Sequence, residues 1–237
     1  RLTATGGPVD LGPDALELLP LLLRLAELTG GAMTPLIGGP LEHLGYDPAY
    51  SLTAGTGFLP APGVSALLLD GTRASLDAHA VLDVGAAGKG QLVDRVTEVL
   101  TSAGHEDVVV DAGGDLRVTG RAIRVALEHP FDPDSAIGTL EVADRSIAGS
   151  AVNRRAWPGA DGRGLHHVLD GRTGRPVDTI AATWVVADRA MLADALATAL
   201  FFVEPDVLAA DFSFRFVRMW TDGRAHWSED LAGDIFR

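Results

Sequence analysis

The chain contains no cysteine. That one absence removes disulfides, thiolate nucleophiles and Cys-ligated zinc or iron–sulfur chemistry together, and leaves the redox state of the compartment open. No stretch reaches the roughly 18 uninterrupted apolar residues that a membrane-crossing helix needs, so no integral membrane segment is expected. Basic residues are scarce, with 19 Lys and Arg against 32 Asp and Glu and a formal charge of −13. No basic stripe is left to meet a phosphate backbone, which argues against nucleic acid as a partner. A small phosphorylated ligand remains compatible, provided that a metal, backbone amides or a few cationic side chains meet its charge locally. Internal repeats, low-complexity tracts and long linkers are lacking too. No signal-peptide pattern opens the chain, but it begins at Arg1-Leu2-Thr3 without a Met, so upstream residues are expected to be missing. Cytoplasmic localisation fits the chain as it stands, and export or lipid anchoring fits if an upstream signal exists.

What is present is ordinary for a globular enzyme: 237 residues, 47% hydrophobic and 22% charged, enough for one domain or two tightly packed lobes. We read residues 1–237 as a single domain. Asp14 to Thr29 repeat leucine at helical spacing and stop at Gly30-Gly31. Glycine and proline then break the chain into short helices and loops as far as about Gly63. Val64–Asp70 and Arg73–Leu76 suggest a hairpin with Asp70-Gly71 in its turn. Ala80–Val84 reads as a strand entering a glycine loop, followed by a helix from Gly90 to Gly104. Strands are expected over Asp107–Asp111, Leu116–Thr119, Ile123–Glu128, Ile137–Val142 and Ser146–Gly149. After a loop around Trp157–Gly164 come a strand His166–Asp170, a buried strand Thr183–Ala187, and a long helix with Asp188 as its N-cap. A hairpin, Phe214–Thr221 and Arg224–Trp227, ends the series. Hairpins with helices inserted singly predict an α+β fold.

Four constellations carry chemistry. In Asp83-Val84-Gly85-Ala86-Ala87-Gly88-Lys89-Gly90 a strand ends in a glycine turn with a lysine at the mouth of a helix. Such a turn lets a ligand approach the main chain, although its glycine spacing fits neither a Walker A loop nor a dinucleotide fingerprint, and Lys89 in plain solvent is the alternative. Asp111-Ala112-Gly113-Gly114-Asp115 suits a bulge or a simple hairpin turn. In Leu165-His166-His167-Val168-Leu169-Asp170-Gly171-Arg172-Thr173-Gly174, strand alternation points one histidine inward and the other outward, and two adjacent histidines are poorly placed to share one metal. One of them suits a hydrogen-bonding or proton-accepting role. Finally, Asp194 and Thr198 project from one face of an Ala- and Leu-rich helix. A carboxylate and a hydroxyl in such a face need a partner, and a hard cation suits both. The alternative is an Asp paired with an Arg and a Thr bonded back to its own helix.

These motifs, in this order, resemble the ApbE flavin transferases, also called FAD:protein FMN transferases. The strand-loop-helix is matched by Asp83 to Gly90, the G-G-D segment by Gly113-Gly114-Asp115, the H-H-[IV]-[LI]-D-x-x-T-G segment by His166 to Gly174, and A-D-A-L-A-T-A by Ala193 to Ala199. The early Thr29-Gly30-Gly31-Ala32 and Pro40-Leu41 follow the same pattern. The resemblance implies an ApbE-like α+β fold of antiparallel sheets with inserted helices and a flavin nucleotide site between two closely packed lobes. It implies Mg²⁺ held by Asp194, Thr198 and the backbone carbonyl of Gly88, with FAD as substrate. Asp83, Gly88, Lys89, Gly113, Gly114, Ser150, His167 and Thr173 are the implied nucleotide contacts, and His167 and Asp194 the implied catalytic pair. Asp83 and Asp115 could equally orient their loops. The implied reaction is attack by a Thr or Ser hydroxyl of a target redox protein, bearing a flavinylation motif, on the FMN phosphorus, with AMP released. FAD hydrolysis and simple FAD binding are the alternatives. The chain departs from the pattern at Thr3, at Thr34, and at Gly149-Ser150-Ala151-Val152-Asn153, where relatives carry T-S-G-[DN]-Y.

Overall fold

The computed structural model describes residues 2–3, 7–77, 80–159 and 164–236, with Leu2 and Thr3 as backbone. Part of the loop expected around Trp157–Gly164 therefore lies outside the described residues. The chain forms two compact units, one of residues 1–85 with 154–177 and one of 86–153 with 178–237.

In the first unit the elements are β1 (Leu2–Thr3), β2 (Val9–Asp10), α1 (Ala15–Leu28), α2 (Gly38–His43), β3 (Leu67–Asp70), β4 (Arg73–Leu76) and β5 (Val81–Leu82). Helix α1 buries Leu18, Leu19, Leu22, Leu25 and Ala26, the stripe its leucine spacing dictates. It stops where expected: Gly30 and Gly31 donate back to the carbonyls of Glu27 and Ala26, at 3.0 and 2.7 Å. The hairpin of β3 and β4 pairs Asp70 with Arg73 across the expected turn at Gly71-Thr72. Val64–Ala66, read from sequence as strand, is a 3₁₀ turn.

The second unit takes up the chain with α3 (Gly88–Ser102), β6 (Val108–Asp111), β7 (Asp115–Thr119), β8 (Ile123–His129), β9 (Asp132–Val142) and β10 (Ser146–Ala151). Back in the first unit lie β11 (Ala156–Pro158), β12 (Gly164–His166), β13 (Leu169–Asp170) and β14 (Arg175–Pro176). The second unit ends with β15 (Ile180–Ala187), α4 (Ala190–Ala199), α5 (Pro205–Ala209), β16 (Arg215–Trp220), β17 (Ala225–Trp227) and β18 (Gly233–Ile235). Sequence patterning missed α5 and β18. It also started β9 five residues late, because Asp132-Pro133-Asp134-Ser135-Ala136 is polar and solvent-facing. The α+β class stands.

A six-stranded antiparallel sheet, in the order β17-β16-β15-β10-β7-β6, organises the second unit. Its Val118, Ile147, Val217 and Met219 pack with Leu127, Ile137, Leu140 and Val142 of β8 and β9, all of them buried. Helices α3 and α4 pack on the sheet through β6, β7, β10 and β15. Covered on both faces, β15 is buried at six of its eight positions, which is why its sequence reads as one apolar run. Helix α3 starts at Gly88, two residues before the expected Gly90, because the carbonyl of Ala87 already accepts Gln91 N–H.

The contact between α3 and α4 depends on one residue without a side chain. A Cβ on Gly90 would stand 2.2 Å from the Ala190 carbonyl oxygen, so only glycine allows the helices to approach this closely. Gly90→Ala is expected to cost about 1–3 kcal/mol by forcing the helices apart, as overpacked cores do. Urea unfolding of the variant checks this, and an unchanged midpoint would refute the close contact.

Candidate functional site

Within the second unit the glycine turn, the G-G-D hairpin and α4 deliver three charged groups to one place. Lys89, the only lysine in the chain, stands in the first turn of α3. Its ammonium is ion-paired with Asp115, whose side chain is fully buried at the start of β7. Gly113 and Gly114 form the tight turn from β6 into β7, with Gly114 N–H bonded to Asp111 Oδ1 at 3.0 Å. Asp194, buried on α4, accepts Gly90 N–H at 3.1 Å and lies within hydrogen-bonding reach of Asp115. Lys89 is therefore not a plain solvent side chain but is paired within the protein through Asp115. Gly88, as the first residue of α3, belongs to the same turn.

Two buried carboxyls facing each other repel when both are charged. Burial, then the Asp115 charge, pushes the Asp194 carboxyl up to about 7, while Lys89 and the Gly90 amide pull the other way. Burial raises Asp115 as well, against the pull of Lys89. Asp115 Oδ1 is buried and receives no N–H or hydroxyl from the described residues. Thr198, half-buried one turn beyond Asp194, makes no side-chain hydrogen bond among the described residues. The back-bonded Thr and Arg-paired Asp that an unremarkable helix would show are thus both missing. Two carboxyls, one unmatched oxygen and a nearby hydroxyl form a hard, oxygen-rich donor set that suits Mg²⁺. The described residues hold no cluster of three or more His, Asp or Glu side chains, so a cation here would need water and phosphate oxygens to fill its shell.

Helix α4 is not capped as its sequence suggests. Its N-cap is Arg189, with extended backbone angles, while Asp188 is exposed and ion-paired with Arg145. The capping oxygens come instead from Asp94 on α3, which accepts Ala190 N–H at 2.8 Å and Met191 N–H at 3.0 Å. Asp188 loses to Asp94 because a buried carboxylate supplied across the helix pair satisfies two orphan amides at once. Sequence reasoning passed over Asp94. Its only local signal is an acid flanked by buried Val93 and Thr97 positions on α3.

Ser150 lies opposite Thr183 in the β10–β15 register, and Thr183 reaches α4 by donating to the Ala197 carbonyl at 2.5 Å. Gly149 lies opposite Trp184, on the other side of the sheet from Thr183. A Cβ on Gly149 would stand 3.0 Å from Trp184 Cδ1. Gly149 therefore meets Trp184 on the side of the sheet away from α4, and Ser150 is on the side toward it.

In the first unit the two histidines have separate duties. Strand β12 ends at His166, and the chain bends at His167 before β13, so a bend divides them where strand alternation was expected. His166 is tied up: Nε2 donates to the Val177 carbonyl at 2.8 Å, and Nδ1 accepts Val168 N–H at 3.3 Å. His167 donates to the Arg155 carbonyl, while its buried Nδ1 has no partner among the described residues. Burial pushes this imidazole down to about 4, helped by the Arg155 and His166 charges and opposed by Asp83. It is neutral at pH 7, with Nδ1 as the nitrogen able to take a proton. Tyr46 braces this corner, stacked on Trp157 at 5.7 Å and centred 6.5 Å from His167.

Asp83 accepts Gly85 N–H at 2.8 Å, which shapes the start of the glycine turn. Thr173 is exposed in the β13–β14 turn, where its hydroxyl accepts Arg175 N–H at 3.2 Å. That turn is pressed against residues 59–61: a Cβ on Gly174, at φ +70°, would stand 2.1 Å from the Leu59 carbonyl oxygen. The implied residues thus fall into two sets, with Asp83, His167 and Thr173 in the first unit and Gly88, Lys89, Gly113, Gly114, Ser150, Asp194 and Thr198 in the second.

Comparison with known proteins gives a consistent result. The chain is 30% identical over 214 residues to an FAD:protein FMN transferase of Rhodobacter capsulatus, covering 83% of this chain and 40% of that protein. It is 29% identical over 211 residues to the Vibrio cholerae protein of the same name, covering 81% and 62% respectively. The chain thus spans about half the length of the curated relatives it matches. Its backbone resembles the crystal structure of an ApbE protein from Thermotoga maritima, with a TM-score of 0.82 at 24% identity over 94% of this chain and 78% of that one. The flavin transferase ApbE of Vibrio cholerae gives a TM-score of 0.75 at 23% identity over 96% and 78%. The family model for ApbE matches residues 1–211. On that match, the chain belongs to the ApbE family.

Proposed function

We propose that this chain transfers FMN from FAD to a Thr or Ser hydroxyl of a partner protein and releases AMP, using Mg²⁺ held by Asp194, Thr198 and the Gly88 carbonyl. The observation that carries this reading is the pairing of buried Asp194 with Asp115 and Gly90 N–H, one turn from a Thr198 hydroxyl that bonds to none of the described residues. When bound, the cation would neutralise charge on the phosphate oxygens and on the departing AMP. Lys89 locks Asp115 and so fixes the wall behind Asp194. His167 takes the hydroxyl proton at Nδ1 as the acceptor oxygen bonds to the FMN phosphorus and the bond to the AMP oxygen breaks. Burial leaves this imidazole unprotonated at neutral pH, the form that a proton acceptor requires.

A second reading rests on residues 149–153, which lack the Thr hydroxyl and the Tyr ring of the T-S-G-[DN]-Y pattern. If water replaces the peptide hydroxyl, the same groups hydrolyse FAD to FMN and AMP. Incubation with FAD, Mg²⁺ and a domain carrying a Thr-containing flavinylation motif separates the outcomes. Fluorescent protein on a denaturing gel together with AMP supports transfer. AMP without labelled protein supports hydrolysis, and FAD retained unchanged leaves a binding role.

Asp194→Asn is expected to lower Mg²⁺-dependent AMP release by about 100-fold or more, the scale lost when charge stabilisation at a reacting centre is removed. Retained turnover in a folded variant would eliminate the cation site. The second expectation concerns pH. Unfolded His167 takes its proton near 6.5 and the folded residue only near 4, so its contribution to stability is complete above about 6.5 and drains away as pH falls toward 4. His167→Gln should therefore flatten the acid limb of melting temperature against pH, leaving the smaller slope that His166 adds in the same direction. An acid limb as steep as wild type would show that His167 is not held neutral.

A further inference from the structure

We infer that Asp94 is a positioning residue for the α4 helix, setting Asp194 and Thr198 in place without touching the cation or the nucleotide. The inference rests on the cation-binding reading of Asp194 and Thr198 given above. Asp94 has no part in the mechanism, yet it is buried to 5% exposure, and a carboxylate is costly to hold there without full satisfaction. Its two oxygens are divided between consecutive amides of α4, Oδ1 to Ala190 N–H and Oδ2 to Met191 N–H, with Arg189 Nε 3.4 Å from Oδ2 as counter-charge. The first ladder bond inside α4 is Ala193 N–H to the Arg189 carbonyl, so the amides of Ala190 and Met191 have no partner within the helix.

Two further contacts turn this cap into a register. Gly90 lets α3 reach the Ala190 carbonyl, and its own N–H binds Asp194 Oδ2. Helix α3 therefore grips α4 at two levels, at the first-turn amides through Asp94 and one turn later at Asp194 through Gly90. With both levels held, α4 can neither rotate nor slide relative to the Lys89 turn, and Asp194 and Thr198 keep one orientation. Losing Asp94 removes the upper grip and leaves the Gly90–Asp194 bond to fix α4 against α3, beside the Thr183 bond to the Ala197 carbonyl. Outer groups that orient metal-holding side chains act in this way, at a typical cost of about 10–100-fold in metal affinity when they are removed.

The test compares wild type, Asp94→Ala, Asp94→Asn and Asp194→Asn. Mn²⁺ binding in the presence of FAD is read from the loss of the free-ion electron spin resonance signal, and amide exchange is followed at Ala190 and Met191. Asp94→Ala should weaken Mn²⁺ binding by about 10–100-fold. It should speed exchange at the two amides by about 2- to 30-fold, the equivalent of losing a helix cap. Asp94→Asn keeps one acceptor oxygen and should fall between wild type and Asp94→Ala; it carries the test alone if the alanine variant does not fold. Raising Mg²⁺ should restore most of the AMP release of either Asp94 variant, since the loss is in metal affinity rather than in the chemical step. Wild-type Mn²⁺ affinity in both Asp94 variants, with weak binding in Asp194→Asn, overturns the inference while sparing the cation site, whether or not the melting temperature falls. Wild-type affinity in Asp194→Asn overturns the cation reading and the inference together.

Discussion

Two buried carboxyls held face to face, with a single lysine ammonium beside them, set the terms for the second unit. Asp115 and Asp194 repel each other when charged, and burial deepens the conflict. Every element nearby contributes to holding them there: the β6–β7 turn delivers Asp115, the first turn of α3 brings Lys89 and Gly90, and α4 carries Asp194. On the proposed reading, an arrangement that is electrostatically uneasy alone would be relieved by a hard cation sharing the space. The surrounding structure offsets the local cost, as functional sites commonly require.

The packing that allows this is economical. Alanine fills much of α4, so the helix lies close to β10, β15 and α3, and the close approach leaves room for one glycine contact and one buried cap. On the far side of the sheet Leu127, Leu140 and Ile147 are almost fully buried, as Leu196 is on α4.

Much of this was legible in the sequence. Leucine spacing and the glycine pair located α1 and its stop, and most strands of the large sheet could be read from β-branched runs. The Asp194/Thr198 spacing pointed to a shared face, and the motifs pointed to the family. What could not be read was set by contacts distant in sequence. Asp188 has the chemistry of a cap and the right place in the chain, but Asp94, 96 residues from Ala190, takes the role. Lys89 looks solvent-facing until β7 brings Asp115 to it. The division of labour between His166 and His167 depends on a bend and on carbonyls at Val177 and Arg155, which no local pattern encodes. Short polar stretches such as the first half of β9 carry no hydrophobic signal and were missed for that reason.

The facing of Gly149 and Trp184 has a steric corollary. A Cβ at 149 would stand 3.0 Å from Trp184 Cδ1, so a side chain there asks the indole to give way by a few tenths of an ångström. The two positions are therefore coupled: what residue 149 can carry depends on how far the ring opposite it can move.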